Sequence, residues 1–148
     1  MTETKSDKLG LRGLLAHFDS GLRLIGGANA TGAIAAGAAF HAFDGNVHVQ
    51  SSVKGAGILF LLGIFAFVIA YTGWFMSVTE IDHSLHKADE PTWPDYLFWA
   101  PTKTTEEYKR AGKIALAVGL LVGLVSFTCF FVGITLLLMM AIFLEVAQ

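Results

Sequence analysis

The stretch IALAVGLLVGLVSFTCFFVGITLLLMMAIFL, from Ile114 to Leu144, decides the fold of this chain. Its thirty-one residues include no charge, no proline, no asparagine and no glutamine. A helix needs roughly 20 apolar residues to cross the hydrocarbon core of a bilayer, whereas helices of globular proteins mostly run about 8–20 residues. The length and composition of this stretch therefore predict a membrane-spanning helix, at about 114–144.

Two further spans are predicted, at about 55–78 and about 24–43. Gly55–Val78 has twenty-four residues without a charge and is rich in Phe, Leu and Ile. Leu24–Phe43 is also uncharged, but it consists mostly of Ala and Gly. These two residue types favour insertion far less than Leu, Ile, Phe and Val do. Hydrophobicity alone leaves open whether this first segment spans the bilayer fully.

The distribution of Lys and Arg favours three spans over two, because these residues concentrate in cytoplasmic loops. With three spans and the N-terminus inside, nine of the ten Lys and Arg residues lie in the cytoplasm and only Lys54 lies outside. With two spans they divide five against five. The sequence therefore predicts an all-α integral membrane protein with its N-terminus in and its C-terminus out. The prediction is a single transmembrane domain over residues 1–148, with a cytoplasmic loop at 79–113.

Two segments outside the spans are predicted to lie at the membrane interface. Residues 9–22 place their apolar side chains at helical spacing, which predicts a short amphipathic helix at the cytoplasmic face. The alternative is that this segment continues the first span as one bent helix. In the central loop, the interfacial aromatic residues are Trp93, Tyr96 and Trp99.

The start of the third helix is predicted at the sequence TTEEYKRAGK, where Thr104 or Thr105 can be the N-cap. Glu106 and Glu107 follow at once and suit the positive end of the helix dipole. The third helix therefore begins before the apolar run.

Small residues form a stripe on each predicted span. In lipid, helices associate through close van der Waals contact, so such stripes mark packing interfaces. The predicted interface consists of Ala28, Asn29, Gly32, Ala36, Gly63, Ala66, Ala70, Gly119 and Gly123, the last two forming a GxxxG motif. Asn29 is expected either to bond across a helix interface or to be hydrated near the cytoplasmic end. The stripes fit packing within the chain or against a partner chain.

Catalytic chemistry is not expected. The spans contain no Asp, Glu, Lys or Arg, which argues against a pump or transporter. The lone Cys129 excludes an internal disulfide, and a net charge of −2 argues against nucleic acid as a partner. A metal site at Glu80, His83 and His86 is weaker than the alternative of a polar helix end, and His41 has no histidine partner at its depth for a haem. We expect no catalytic residues, no cofactor and no metal.

The composition favours a non-catalytic protein of the bacterial inner membrane, an accessory or assembly subunit of a larger complex. Its partners are then the lipid bilayer and other membrane subunits or further copies of itself. The argument is that an Ala/Gly-rich first helix gains little from facing lipid on all sides. The alternative is a self-assembling pore-former of the holin kind, although the predicted topology and the short tail after Leu144 fit that class poorly.

Overall fold

The described part of the chain is all helical. The computed structural model describes residues 5–43, 47–86 and 104–146, with side-chain environments for 16–43, 47–82 and 104–143. Its helices, in chain order, are α1 (Lys5–Ala42), α2 (Val47–His86) and α3 (Thr105–Val146). These described ranges contain no strand. The all-α prediction is confirmed for them.

Two of these helices, α2 and α3, are long and apolar enough to cross a membrane, over Val47–Asp82 and Thr105–Phe143. At a rise of 1.5 Å per residue each is about 60 Å long, roughly twice the thickness of a hydrocarbon core. The most apolar window of α2 is only 33% buried within the chain, and that of α3 only 17%. Most of their apolar surface therefore faces outward.

The N-terminal amphipathic segment 9–22 is not a separate short helix. It belongs to α1, which runs without a break from Lys5 to Ala42 and contains no proline. The structure instead has the alternative arrangement, in which residues 9–22 and the first apolar segment form one helix. The periodicity of 9–22 defines an apolar face, but it carries no signal for a helix end.

Both ends of the predicted cytoplasmic loop 79–113 are helical. Residues 79–86 still belong to α2, and residues 105–113 already belong to α3. The predicted interfacial residues Trp93, Tyr96 and Trp99 lie outside the described residues.

A capping box fixes the start of α3, as the sequence TTEE predicts. The Thr104 backbone N–H donates to Glu107 Oε2 at 2.7 Å, and the Thr104 hydroxyl donates to the same oxygen at 2.9 Å. In return, the Glu107 backbone N–H donates to Thr104 Oγ1 at 3.4 Å. This reciprocal arrangement satisfies donors that the first turn of a helix otherwise leaves without partners.

Contacts group the residues into two units. One unit contains α1 up to Ser20, α2 from Ile69 onward and α3 up to Leu121. The other contains α1 from Gly21, α2 up to Val68 and α3 from Val122 onward, and we call it the Asn29 unit. The apolar core of the Asn29 unit consists of Ala36, Val49, Val53, Ala56 and Phe60.

Candidate functional site: a helix-packing core and an exposed face of small residues

A chain of hydrogen bonds joins the three helices of the Asn29 unit. The Asn29 side chain in α1 is fully buried, and its Nδ2 donates to Ser126 Oγ in α3 at 3.1 Å. The Ser126 hydroxyl, also fully buried, donates to the backbone carbonyl of Gly63 in α2 at 2.7 Å. Asn29 Nδ2 also contacts the Ser126 carbonyl at 3.2 Å and the Ile25 carbonyl of its own helix at 3.1 Å. The structure thus places Asn29 across a helix interface and away from solvent.

Gly63 is the position that lets the Asn29 amide approach α2. A Cβ at Gly63 would collide with Asn29 Oδ1, Cγ and Nδ2. Among the described residues, Asn29 Oδ1 has no hydrogen-bond partner. Within the described residues, the hydrogen bonds of the amide therefore all come from its nitrogen. Its oxygen lies against the backbone of Gly63.

Phe60 of α2 fills the space that glycines on the neighbouring helices leave open. Its side chain is fully buried. A Cβ at Gly32 of α1 would collide with this ring, and a Cβ at Gly133 of α3 would lie 2.9 Å from it. Two helical turns further along α2, the Phe67 ring lies in the same way against Gly26 of α1. Large rings on α2 therefore pack onto glycines of the other two helices.

In the other unit, α2 and α3 approach each other with their backbones in contact. A Cβ at Gly119 would lie 3.1 Å from the Ala70 carbonyl oxygen, and one at Gly73 would lie 3.1 Å from the Ala115 carbonyl oxygen. Ala70 is fully buried. A Cβ at Gly112, one heptad before Gly119, would lie 2.8 Å from the Ile81 side chain and 3.3 Å from the Ser77 carbonyl oxygen. Small residues are needed here because the backbone of each helix lies where a larger side chain of the other helix would have to be.

Most of the predicted packing residues face the interior of the described structure. Those that are buried are Asn29, Ala36, Gly63, Ala66, Ala70, Gly119 and Gly123, while Ala28 and Gly32 are half-buried. Sequence reasoning missed Phe60, Phe67 and Ser126. The signal for the two rings was their seven-residue spacing on α2, the heptad interval that keeps side chains on one helix face.

A second set of small residues on α1 lies on its exposed side. The exposed members are Gly27, Ala30, Thr31, Ala35 and Ala38. A Cβ added to Gly27 would meet nothing within 4 Å. The Thr31 hydroxyl donates to the Gly27 carbonyl of its own helix at 3.0 Å, so its hydrogen is satisfied without a partner outside α1. We call this surface the outer face of α1. It is neutral, its one large side chain along residues 27–38 is Ile34, which is 75% exposed, and the other described helices leave it open.

A groove of about 350 Å³ lies between α1 and α2 in the Asn29 unit. It is lined mainly by small and apolar residues, namely Ala33, Ala36, Gly37, Val53, Gly57 and Leu61. Phe40, His41 and Lys54 complete the lining, and the Lys54 ammonium lies 5.3 Å from the centroid of the Phe40 ring. The groove is therefore apolar along its length, with cationic and aromatic groups where α1 ends and α2 begins.

No group of three or more His, Cys, Asp or Glu side chains comes together as metal ligands within the described residues. The side chains of His83 and His86, which belong to the weaker metal hypothesis, are outside those residues. Comparison with known proteins gives no relative, since no family model, no curated protein and no solved structure matches this chain. The site is therefore interpreted from its own geometry.

Proposed function

We propose that this chain is a three-span integral membrane protein that acts as a non-catalytic subunit and binds a transmembrane helix of another protein through the outer face of α1. Its membrane location is supported by the large apolar side chains that α2 and α3 expose. Phe65 is 69% exposed, Leu121 67% and Phe143 72%. Contiguous apolar surface of this kind is rare on soluble monomers, whereas lipid tails cover it without penalty.

The register between α1 and α2 supports a third span. Gly26 lies against Phe67, Gly32 against Phe60, and a Cβ at Gly57 would meet Ala36 at 3.6 Å. The two helices thus run antiparallel, and residues 26–36 of α1 lie beside residues 57–67 of α2. If the apolar run of α2 is in hydrocarbon, this Ala/Gly segment lies at the same depth, carried there by packing rather than by its own hydrophobicity.

The observation that carries the subunit proposal is the outer face of α1. Small residues let a second helix approach closely, and close contact is the main source of helix association in lipid. The inward face of α1 is already occupied by Phe60 and Phe67. Among the described residues, none covers the outer face, and the small residues on both sides of Ile34 leave room for a second helix.

The hydroxyl groups of the spans favour a subunit over a pore-former. A water-filled pore needs polar groups that face outward from their own helix. Thr31, Thr128 and Thr135 are exposed, yet each donates its hydroxyl to the carbonyl four residues earlier. The exposed surface around them is apolar, which suits contact with lipid or with an apolar partner helix.

The test is a native-size measurement on the full chain and two matched variants. The protein is extracted gently from its native membranes, run on a native gel, and analysed by mass spectrometry for stoichiometric partners. Ala30→Leu adds bulk on the outer face of α1, whereas Ala117→Leu makes the same change at an exposed position of α3. We expect Ala30→Leu to release the partner without lowering the melting temperature, and Ala117→Leu to retain it.

Three results contradict the proposal. A wild-type chain that migrates alone has no partner, and a partner that stays bound to Ala30→Leu does not use this face. A complex that contains only copies of this chain indicates self-assembly instead, and dye leakage from vesicles then tests the pore-forming alternative.

A further inference from the structure

We propose that the groove between α1 and α2 binds one acyl chain of an anionic phospholipid, with the lipid phosphate at Lys54. The inference rests on the proposed membrane location. It concerns a different surface from the outer face of α1, and it names a ligand rather than a protein partner.

The shape of the groove suits the part of a single acyl chain nearest its head group. Small residues on both helices, Ala33 and Gly37 on α1 and Gly57 on α2, leave a trough between the two helix axes. From Ala33 to Phe40 it extends about 10 Å along α1 at the rise of a helix. Its volume of about 350 Å³ is at the small end of the range for ligand pockets, about 300–1,000 Å³. In a bilayer such an apolar trough is open to lipid tails, and its apolar lining does not favour water.

The charge at one end of the groove selects the head group. Among the described residues, those that line the groove include the Lys54 cation and no carboxylate. Lys54 directly precedes the uncharged run Gly55–Val78, so its ammonium lies where the apolar layer gives way to head groups. A lysine at this depth extends its charged end toward the interface. Basic pockets between transmembrane helices on the cytoplasmic side bind anionic lipid head groups, and Lys54 presents the same kind of charge at the outer end of this groove.

The surroundings of Lys54 hold it at the mouth of the groove. Its ammonium lies 5.3 Å from the centroid of the Phe40 ring, a cation–π distance. His41 follows Phe40 on α1 and also lines this end, where its ring N–H can donate to a phosphate oxygen. One cation beside one donor suits the single negative charge of a phosphodiester.

The experiment is native mass spectrometry of the full chain in detergent with equal amounts of phosphatidylglycerol and phosphatidylcholine. A single lysine near a membrane surface contributes a preference of about fivefold for an anionic lipid. We therefore expect phosphatidylglycerol adducts to exceed phosphatidylcholine adducts by about fivefold. Lys54→Gln is expected to abolish this preference and Lys54→Arg to keep it. Lys109→Gln is the matched control, since Lys109 pairs with Glu106 on α3 at 3.6 Å.

A second variant tests the groove itself. Gly37 lines the trough, and a Cβ there would meet nothing within 4 Å, so Gly37→Leu places its branched side chain on a position with open space around the Cβ. We expect this variant to lose both lipid adducts while its melting temperature stays that of the wild type. The proposal is overturned if Lys54→Gln keeps the preference, if Gly37→Leu keeps the adducts, or if oleate displaces phosphatidylglycerol at equal concentration.

Carbonate extraction separates this inference from the membrane proposal. A chain that is released from membranes by carbonate contradicts both proposals. A chain that resists carbonate but shows no preference for phosphatidylglycerol contradicts only the lipid site.

Discussion

The buried Asn29 amide bonds α1 to α3 at Ser126, whose hydroxyl bonds to α2, and the contribution of Asn29 can be isolated by a double-mutant cycle. Hydrogen bonds between membrane helices contribute about 0.6 kcal/mol on average and up to about 2 kcal/mol. We expect Asn29→Ala to lower the free energy of unfolding by about 1 kcal/mol, as measured by SDS titration in detergent micelles. Adding Ser126→Ala should cost less than in the wild type, because the Nδ2–Oγ bond of 3.1 Å is already absent.

Thr31→Ala is the control for that cycle. The Thr31 hydroxyl is exposed and bonds only to the carbonyl of Gly27 in the same helix, so we expect its removal to leave the free energy of unfolding unchanged. Strictly additive effects of Asn29→Ala and Ser126→Ala would mean that the two side chains do not interact.

Gly63 and Gly21 form a matched pair for testing whether lack of space requires a glycine at a single position. A Cβ at Gly63 would collide with the Asn29 amide, whereas one at Gly21 would meet nothing within 4 Å. Overpacking of a filled interior costs about 1–3 kcal/mol. We expect Gly63→Ala to lower the free energy of unfolding by that amount. Gly21→Ala should leave it unchanged or raise it by up to about 1 kcal/mol, since alanine favours a helix over glycine; equal effects would refute close packing at Gly63.

At the scale of the element, the capping box makes the first turn of α3 depend on Thr104. Replacing a threonine N-cap by alanine costs about 0.5–2 kcal/mol. We expect Thr104→Ala to accelerate hydrogen–deuterium exchange of the amides at Glu106–Tyr108, and Thr105→Ala, one residue into the helix, to leave their exchange rates unchanged. Glu107→Gln retains an oxygen that can accept from the Thr104 N–H, so it should fall between wild type and Thr104→Ala. Equal acceleration in both threonine variants would contradict this cap assignment.

The helices themselves were largely predictable, whereas the faces they use were not. Long uncharged runs predicted α2 and α3, and TTEE predicted the start of α3, because composition and caps are local properties. The pairing of Phe60 with Gly32 and Gly133 depends on the register between helices that are distant in sequence, so no local pattern reports it. The packing face of α1 is even harder to predict from sequence, because Ala and Gly occur on every side of the helix. Its inward and outer faces cannot be told apart without the structure.

At the scale of the whole molecule, two of the three described helices, α2 and α3, expose more of their most apolar windows than they bury. The windows of α2 and α3 that are 33% and 17% buried leave side chains such as Phe143 without cover from the chain itself. The Ala/Gly helix α1 is held against α2 by aromatic rings instead. In the proposed membrane setting, lipid or a partner helix would supply the contacts that these exposed side chains do not make within the described chain.

The number of spans determines on which sides of the membrane the two ends of the chain lie. With the three spans we propose, the N-terminus and the C-terminus lie on opposite sides, and the distribution of Lys and Arg predicts a cytoplasmic N-terminus. In a bacterial host, we expect the full chain with alkaline phosphatase at its C-terminus to be active. The same chain with a green fluorescent protein at its C-terminus should be dark, and with one at its N-terminus fluorescent. Both ends on one side would mean that α1 does not cross, and residues 26–36 would then have to lie outside the hydrocarbon although they pack beside residues 57–67 of α2.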